Sequence, residues 1–221
     1  MINKEVQNIA AAVSYINDGA VILSSGFGDA GAPISLLEAL AKTDVKNLTI
    51  VSNNAGEGNY GLAALMKSGK VAKIICSYPI SAGSIVFQNL YNNNKIQLDV
   101  VPQGTLSERM RAAGAGIGAF FTPTSAGTKL GEGKETRIIE GIEHVLEYPL
   151  KGDIALILGK KADRLGNIIY DKSARNFSPV MAMAATTTIV QVEELVEVGK
   201  MDPELIITPG IFIDYIFVHT K

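Results

Sequence analysis

The sequence predicts an α/β fold: an open, mostly parallel sheet covered by helices, with a small antiparallel excursion. Three observations predict it. Strand-like and helix-like segments alternate through four units in about the first 110 residues, the rhythm of parallel strands joined by helical crossovers. The strand segments are short Val/Ile/Leu-rich runs, as expected of strands buried on both faces. Small-residue turns join strand to helix, and the chain carries 22 glycines.

Each element follows in order. Residues 5–17 place Val6, Ile9, Val13 and Ile16 at helical spacing and predict a first helix. "GAVIL" is the first strand. "APISLLEALAKT" is a helix with Pro33 near its start, where a missing N–H costs little. "KNLTIVSN" is a strand, and "YGLAALMKSG" a helix closed by Gly69. "VAKIICS" is a strand, "SIVFQNLYNNN" a helix, "IQLDVVP" a strand and "LSERMRAAGAG" a helix. The rhythm then breaks. Residues from about 118 to 150 have the turns and short alternations of an antiparallel excursion beside the main sheet. "GDIALILG" returns to a buried strand, residues 167–195 hold a helix and a strand, and the tail supplies a last strand. Residues 1–221 are expected to form one domain.

Composition narrows the chemistry. With 47% hydrophobic residues, the chain can bury a large core. A net charge of -2 recommends neither nucleic acid nor an anionic membrane as partner. The single cysteine, Cys76, excludes an internal disulfide and a cysteine metal cage. Two histidines, His144 and His219, exclude a histidine-rich metal site, so no metal is expected. No apolar run reaches the roughly 18 residues of a membrane span, and the N-terminus lacks the pattern of a signal peptide. The expected setting is cytoplasmic.

The turns at the strand ends are the candidate binding elements. "SGFGDAG", Ser25 to Gly31, follows a strand and precedes a helix, where α/β sheets place their ligands. Backbone N–H groups there suit a phosphate or an oxyanion. Gly26, Gly28 and Gly31 have the dinucleotide spacing G-x-G-x-x-G. The second strand, however, ends in Ser52, Asn53 and Asn54, with no acid for a ribose hydroxyl. Strand–helix packing alone also explains such glycines. Asn53 and Asn54 are poor core residues that can bond a carbonyl or carboxylate without adding charge. Gln103 and Gly104 stand at the fourth strand end; Gln103 is either a donor to an acyl oxygen or a turn-capping amide. Glu108, with Arg109 or Arg111, reads as a structural ion pair at a helix start more readily than as catalysis. Cys76 reads as inert core and His144 as a surface residue. A nucleophile–base set is absent from the pattern, which points to a group supplied by another chain.

These motifs identify a resemblance. Asp18-Gly19, Gly26-Phe27, Gly31 and Pro33 are followed by "LTIVSNNAG", "SYP" and "VPQGTLSERMRAAGAGI". Further on stand "FFTPTSAGT", "ADRLGNIIYDKSARNFSPVMAMAA" and "DPELIITPGIFID". Over essentially its whole length the chain resembles the A (alpha) subunits of the family-I, or 3-oxoacid, CoA-transferases. The resemblance implies the Rossmann-like CoA-transferase/sugar-phosphate isomerase fold. One departure stands at Ser24-Ser25-Gly26-Phe27, where the family signature has Gly-Gly-Phe. The added Ser25 hydroxyl has either substrate or backbone to bond. The segment "SYPISAGSIVFQNLYNNNKIQLD" looks closer to the 3-oxoadipate-specific members than to the succinyl-CoA:acetoacetate form.

What the resemblance implies about function is specific. CoA moves between carboxylic acids by a ping-pong route through a glutamyl anhydride and an enzyme–CoA thioester. The nucleophilic glutamate belongs to a separate B (beta) subunit, so no catalytic nucleophile is expected in this chain. Ser25, Gly26, Phe27, Gly28, Asp29, Ala30 and Gly31 would lie against the CoA thioester and pantetheine. Asn53, Asn54 and Gln103 would line the acyl pocket, and Gly104 would leave room for backbone approach. Glu57 and Glu108 match no acid of the family pattern. The expected partners are the CoA-transferase B (beta) subunit, an acyl-CoA such as succinyl-CoA, and a 3-oxoacid, first 3-oxoadipate; acetoacetate, butyrate and acetate are the alternatives. CoA is a substrate here, with no permanently bound cofactor. A nucleotide-binding oxidoreductase and a partner-free binding domain are the more distant readings.

Overall fold

The structure is a computed structural model that describes residues 2–219. Seven parallel strands form the main sheet in the order β13-β11-β8-β1-β2-β3-β4. They are β1 (Val21–Ser24), β2 (Leu48–Asn54), β3 (Val71–Tyr78), β4 (Gln97–Val100), β8 (Gly152–Leu158), β11 (Ala185–Val192) and β13 (Tyr215–Val218). From β1 the chain runs outward one way through β2, β3 and β4, whereas β8, β11 and β13 extend the other way. The order therefore reverses beside β1, and the carboxyl ends of the strands near such a reversal are where open α/β sheets place ligands.

Alternation along the central strands builds two core layers. Ile22, Ile50 and Leu156 join one buried cluster with Leu36, Leu37, Leu65 and Phe87. These last four come from α2 (Ile34–Leu40), α3 (Gly61–Lys67) and α4 (Ile85–Asn92). The neighbouring strand residues Leu23, Val51 and Ile157 join the opposite cluster with Leu106, Met110 and Met181. Those come from α5 (Gln103–Ala115) and α6 (Ser178–Ala184). The two-residue strand period thus explains why each strand reads as a continuous apolar run.

Several expectations need correction. The first helix, α1, spans only Ile9–Val13, not 5–17. Asn8 caps it by accepting from the Ala11 N–H at 2.9 Å, and Glu5 instead pairs with Ile216 beside β13. Helix α5 begins at Gln103, three residues before the predicted start, because Pro102 directly precedes it and the Leu106 N–H reaches the Pro102 carbonyl at 2.8 Å. Gln103 and Gly104 are thus the first residues of a helix and not a turn. A second small sheet was not foreseen: β9 (Lys161–Asp163) lies between β10 (Ile168–Ile169) and β12 (Glu194–Val196). Its strands are only two or three residues long, too short for a period to show.

The antiparallel excursion forms as a sheet of β5 (Phe120–Thr122), β7 (Ile142–Glu147) and β6 (Thr136–Ile139), in that order. It is tied back to α5 through Glu147, which is buried and accepts from the Arg109 guanidinium and from Lys134 Nζ at 2.6 Å. Arg109 therefore serves this joint. Glu108 pairs with Arg111 at 2.8 Å, a structural helix-surface pair. Among the described residues, no helix is long and apolar enough to cross a membrane.

Candidate functional site

Four chain segments meet at the carboxyl edge of the sheet. They are the turn after β1, the end of β2, the end of β3 and the start of α5. Between them lies a groove of about 490 Å³, lined by Phe27, Gly28, Asn53, Asn54, Glu57, Ser77, Tyr78 and Gln103. A narrower recess continues from it past Ser25, Gly26 and Asp29 toward Tyr60.

The turn after β1 is braced from beneath. Ser25 is only 3% exposed, and its hydroxyl donates to the Gly31 carbonyl at 2.7 Å. The same oxygen accepts from the Leu158 N–H at 3.2 Å, joining the turn to β8. Of the two possibilities for this hydroxyl, the backbone is the one realised. Gly26 has φ +133°, a conformation open to glycine and few others. Gly31, at φ +78°, faces a neighbour from far along the chain: a Cβ there would run into the Ala174 carbonyl and lie 2.5 Å from Asn176 Nδ2. Its glycine is required by packing. At the tip of the turn Phe27 is 55% exposed and the Phe27 N–H closes on the Ala30 carbonyl at 3.0 Å. Asp29 accepts from the Tyr60 hydroxyl at 2.5 Å, so the turn is latched to the loop after β2. This bond to the Asp29 carboxylate holds the Tyr60 phenol above its ordinary pKa.

The amides divide their work. Asn53 is 3% exposed, and its Oδ1 accepts from Gln103 Nε2 at 2.7 Å and from the Ser77 hydroxyl at 2.9 Å. These two donors fix the amide and leave its N–H groups as the available ones at the groove wall. Gln103 is exposed and lines the groove, with its Nε2 donating to Asn53. Asn54 shapes the backbone: its Oδ1 accepts from the Gly56 N–H at 2.8 Å. Gly104 faces open space, since a Cβ there would meet no atom within 4 Å.

The charges are as informative as the amides. Asp29 and Glu57 border the groove and its recess, and among the described residues no lysine, arginine or histidine does. Glu57 is held by the Ser81 hydroxyl at 2.7 Å. Three cations of β3 and α5 are committed elsewhere: Lys73 to Asp99 at 2.5 Å, Arg109 to Glu147, and Arg111 to Glu108. Cys76 is buried in β3, and desolvation pushes its thiol up to about 12, so it is protonated and inert at neutral pH. Sequence reasoning missed Ser77, Tyr60 and Asn176 as parts of this neighbourhood. Ser77 stands in the quoted "SYP" and Asn176 in "SARNFSP"; Tyr60 carried no signal of its own.

A family model described as Coenzyme A transferase matches residues 6–219. The chain belongs to the coenzyme A transferase family. Among members of the family, the A (alpha) subunit of the 3-oxoadipate CoA-transferase of Pseudomonas putida is 57% identical over 96% of this chain and 92% of its own. A protein of the same description from Acinetobacter baylyi is 55% identical, over 98% of this chain and 95% of its own. The corresponding subunit of the succinyl-CoA:3-ketoacid coenzyme A transferase of Helicobacter pylori is 41% identical, over 99% of this chain and 94% of its own. The fold recurs in an acyl-CoA transferase of Escherichia coli O157:H7 solved as a thioester complex with CoA, with a TM-score of 0.86 at 23% identity. This chain is covered to 98% there but spans only 50% of that longer chain. The glutaconate coenzyme A-transferase of Acidaminococcus fermentans matches with a TM-score of 0.83 at 18% identity, over 98% of this chain and 76% of its own.

Proposed function

We propose that this chain is the alpha subunit of a two-chain 3-oxoacid CoA-transferase that moves CoA from succinyl-CoA to 3-oxoadipate. The observation that carries the reading is the identity of 57% to a protein so described, over nearly the whole of both chains. The groove supports it. It offers neutral amide donors and a glycine-rich turn but no nucleophile–base pair, as half of a shared site would.

In this reading a glutamate from the beta subunit is the nucleophile and attacks the thioester carbonyl. The C–S bond breaks, CoA leaves as thiolate, and an acyl–glutamyl anhydride remains. The thiolate then attacks the glutamyl carbonyl, releasing succinate and leaving an enzyme–CoA thioester. The incoming 3-oxoacid carboxylate reverses both steps and leaves as its CoA ester. Splitting one exchange into anhydride and thioester steps lowers each barrier. Gln103 donates to the oxyanion that develops at each attack, and its bond to Asn53 holds it ready. The turn from Ser25 to Gly31 receives the thioester and pantetheine end of CoA. Asn53 and Asn54 border the acyl chain. Because no cation among the described residues lines the groove, the beta subunit supplies the charge that meets the second carboxylate of a dicarboxylic acceptor.

The test is to purify the chain alone and co-expressed with a beta subunit. Transfer from succinyl-CoA is then followed to 3-oxoadipate and, separately, to acetoacetate. Activity in the complex alone, faster with 3-oxoadipate, is expected. Activity of the isolated chain would overturn the shared site and turn attention to Glu57. Faster transfer to acetoacetate would favour the second reading, to which the relative at 41% identity lends support.

A further inference from the structure

We propose that Asn176 is the positioning residue of the ligand turn: through one amide it fixes both ends of the 25–31 loop. The inference rests on the reading that this turn receives the CoA ester. Asn176 lies 150 positions from Gly26, in the loop before α6. Its backbone has φ 24° and ψ −117°, outside the regions L residues prefer. Such a conformation persists only where its surroundings hold it.

The side chain accounts for the holding. Its Oδ1 accepts from the Gly26 N–H at 3.1 Å, at the entry to the turn, and from the Phe177 N–H at 2.7 Å. Its Nδ2 donates to the Ala30 carbonyl at 2.8 Å, at the exit, and to the Ala174 carbonyl at 3.0 Å. An acceptor at one end of the turn and a donor at the other call for a primary amide. Aspartate lacks the donor, and serine lacks the reach. Gly31 completes the fit, because any side chain there would displace this amide. Behind Asn176, Phe177 and Met181 are buried in the second core layer, so the clamp is anchored to a rigid element. The clamp is separate from the Ser25 brace, which holds the Gly31 carbonyl. Between the clamped ends stands Phe27, which borders the groove.

The test compares the parent complex with Asn176→Gly, which tolerates the backbone conformation and removes the amide. Asn176→Asp, which keeps the acceptor and removes the donor, is the second variant should the first not assemble. Two readouts are taken: hydrogen exchange of the amides 26–30, and KM against kcat for succinyl-CoA. Faster exchange confined to the turn, with KM raised about tenfold and kcat near the parent value, is expected. Exchange unchanged at 26–30 would overturn the clamp. Faster exchange with an unchanged KM would overturn the positioning role. In that last case, protection of amides 26–30 by succinyl-CoA in the parent separates the causes. If protection is absent, the placement of CoA at this turn has failed and not the clamp.

Discussion

The Gln103 side chain donates to the Asn53 side-chain oxygen across 2.7 Å, joining the first residue of α5 to the end of β2. Two polar residues separated by 50 positions thereby form one wall of the groove. The joint orients both amides without any charge. If Gln103 meets the oxyanion, Gln103→Ala lowers kcat of the assembled enzyme by about 10²-fold, the usual loss on removing one such donor. The melting temperature stays near that of the parent, because Gln103 is exposed. Steady-state kinetics beside thermal denaturation check both halves, and equal kcat in mutant and parent would remove Gln103 from this role.

Ser25 opens the turn after β1, and its hydroxyl links the Gly31 carbonyl to the Leu158 N–H. Ser25→Gly leaves both partners without this bond and is expected to cost about 1–2 kcal/mol of stability. Because the hydroxyl faces backbone, KM for the acyl-CoA is expected to stay near the parent value. Urea denaturation and KM together decide; a large KM change with intact stability would reassign the hydroxyl to the ligand.

Gly31→Ala forces a Cβ against Ala174 and Asn176 in a backbone conformation that disfavours side chains. The expected destabilisation is about 1–3 kcal/mol. Chemical denaturation of the purified complex measures it. A stability equal to that of the parent would mean that the 174–176 segment yields without cost.

Glu147 joins the small antiparallel sheet to α5 through Arg109 and Lys134. Glu147→Gln removes the charge and leaves two cations facing a neutral amide. Both cations keep some solvent, so the expected loss is about 2 kcal/mol, below that of a fully buried pair. Faster hydrogen exchange in β5, β6 and β7 before the rest of the molecule would accompany it. Uniform exchange across the molecule would show that the small sheet is held by other contacts.

The Cys76 thiol, pushed up to about 12 by burial, predicts a pH effect with a definite sign. In the unfolded chain the same thiol ionises near its ordinary value of 9.0. Above that pH the unfolded state binds fewer protons than the native one, so stability falls as pH rises from 9 toward 12. Cys76→Ala flattens this slope, as stability measured across alkaline pH would reveal. In the native parent, a thiol reagent at pH 8 is expected to react only as the protein unfolds. Rapid labelling of the folded protein would contradict the burial.

Sequence alone determined the α/β class, the succession of the main-sheet strands, the antiparallel excursion and the family resemblance. Those rest on local periodicity and on residues close together in the chain. It also brought forward Asn53, Asn54, Gln103 and the 25–31 turn as candidates for binding. Only the tertiary structure decided what each one touches. Local pattern gave no means to pair Gln103 with Asn53, to separate Arg109 from Glu108, or to set Asn176 against Gly26 and Ala30. The reason is physical. A repeat of two or 3.6 residues reports which face of an element is buried, whereas contacts across 50 to 150 positions depend on strand order and on where each strand ends. The sheet order brings the ends of β1, β2 and β3 side by side, and the groove these distant residues share lies along those ends.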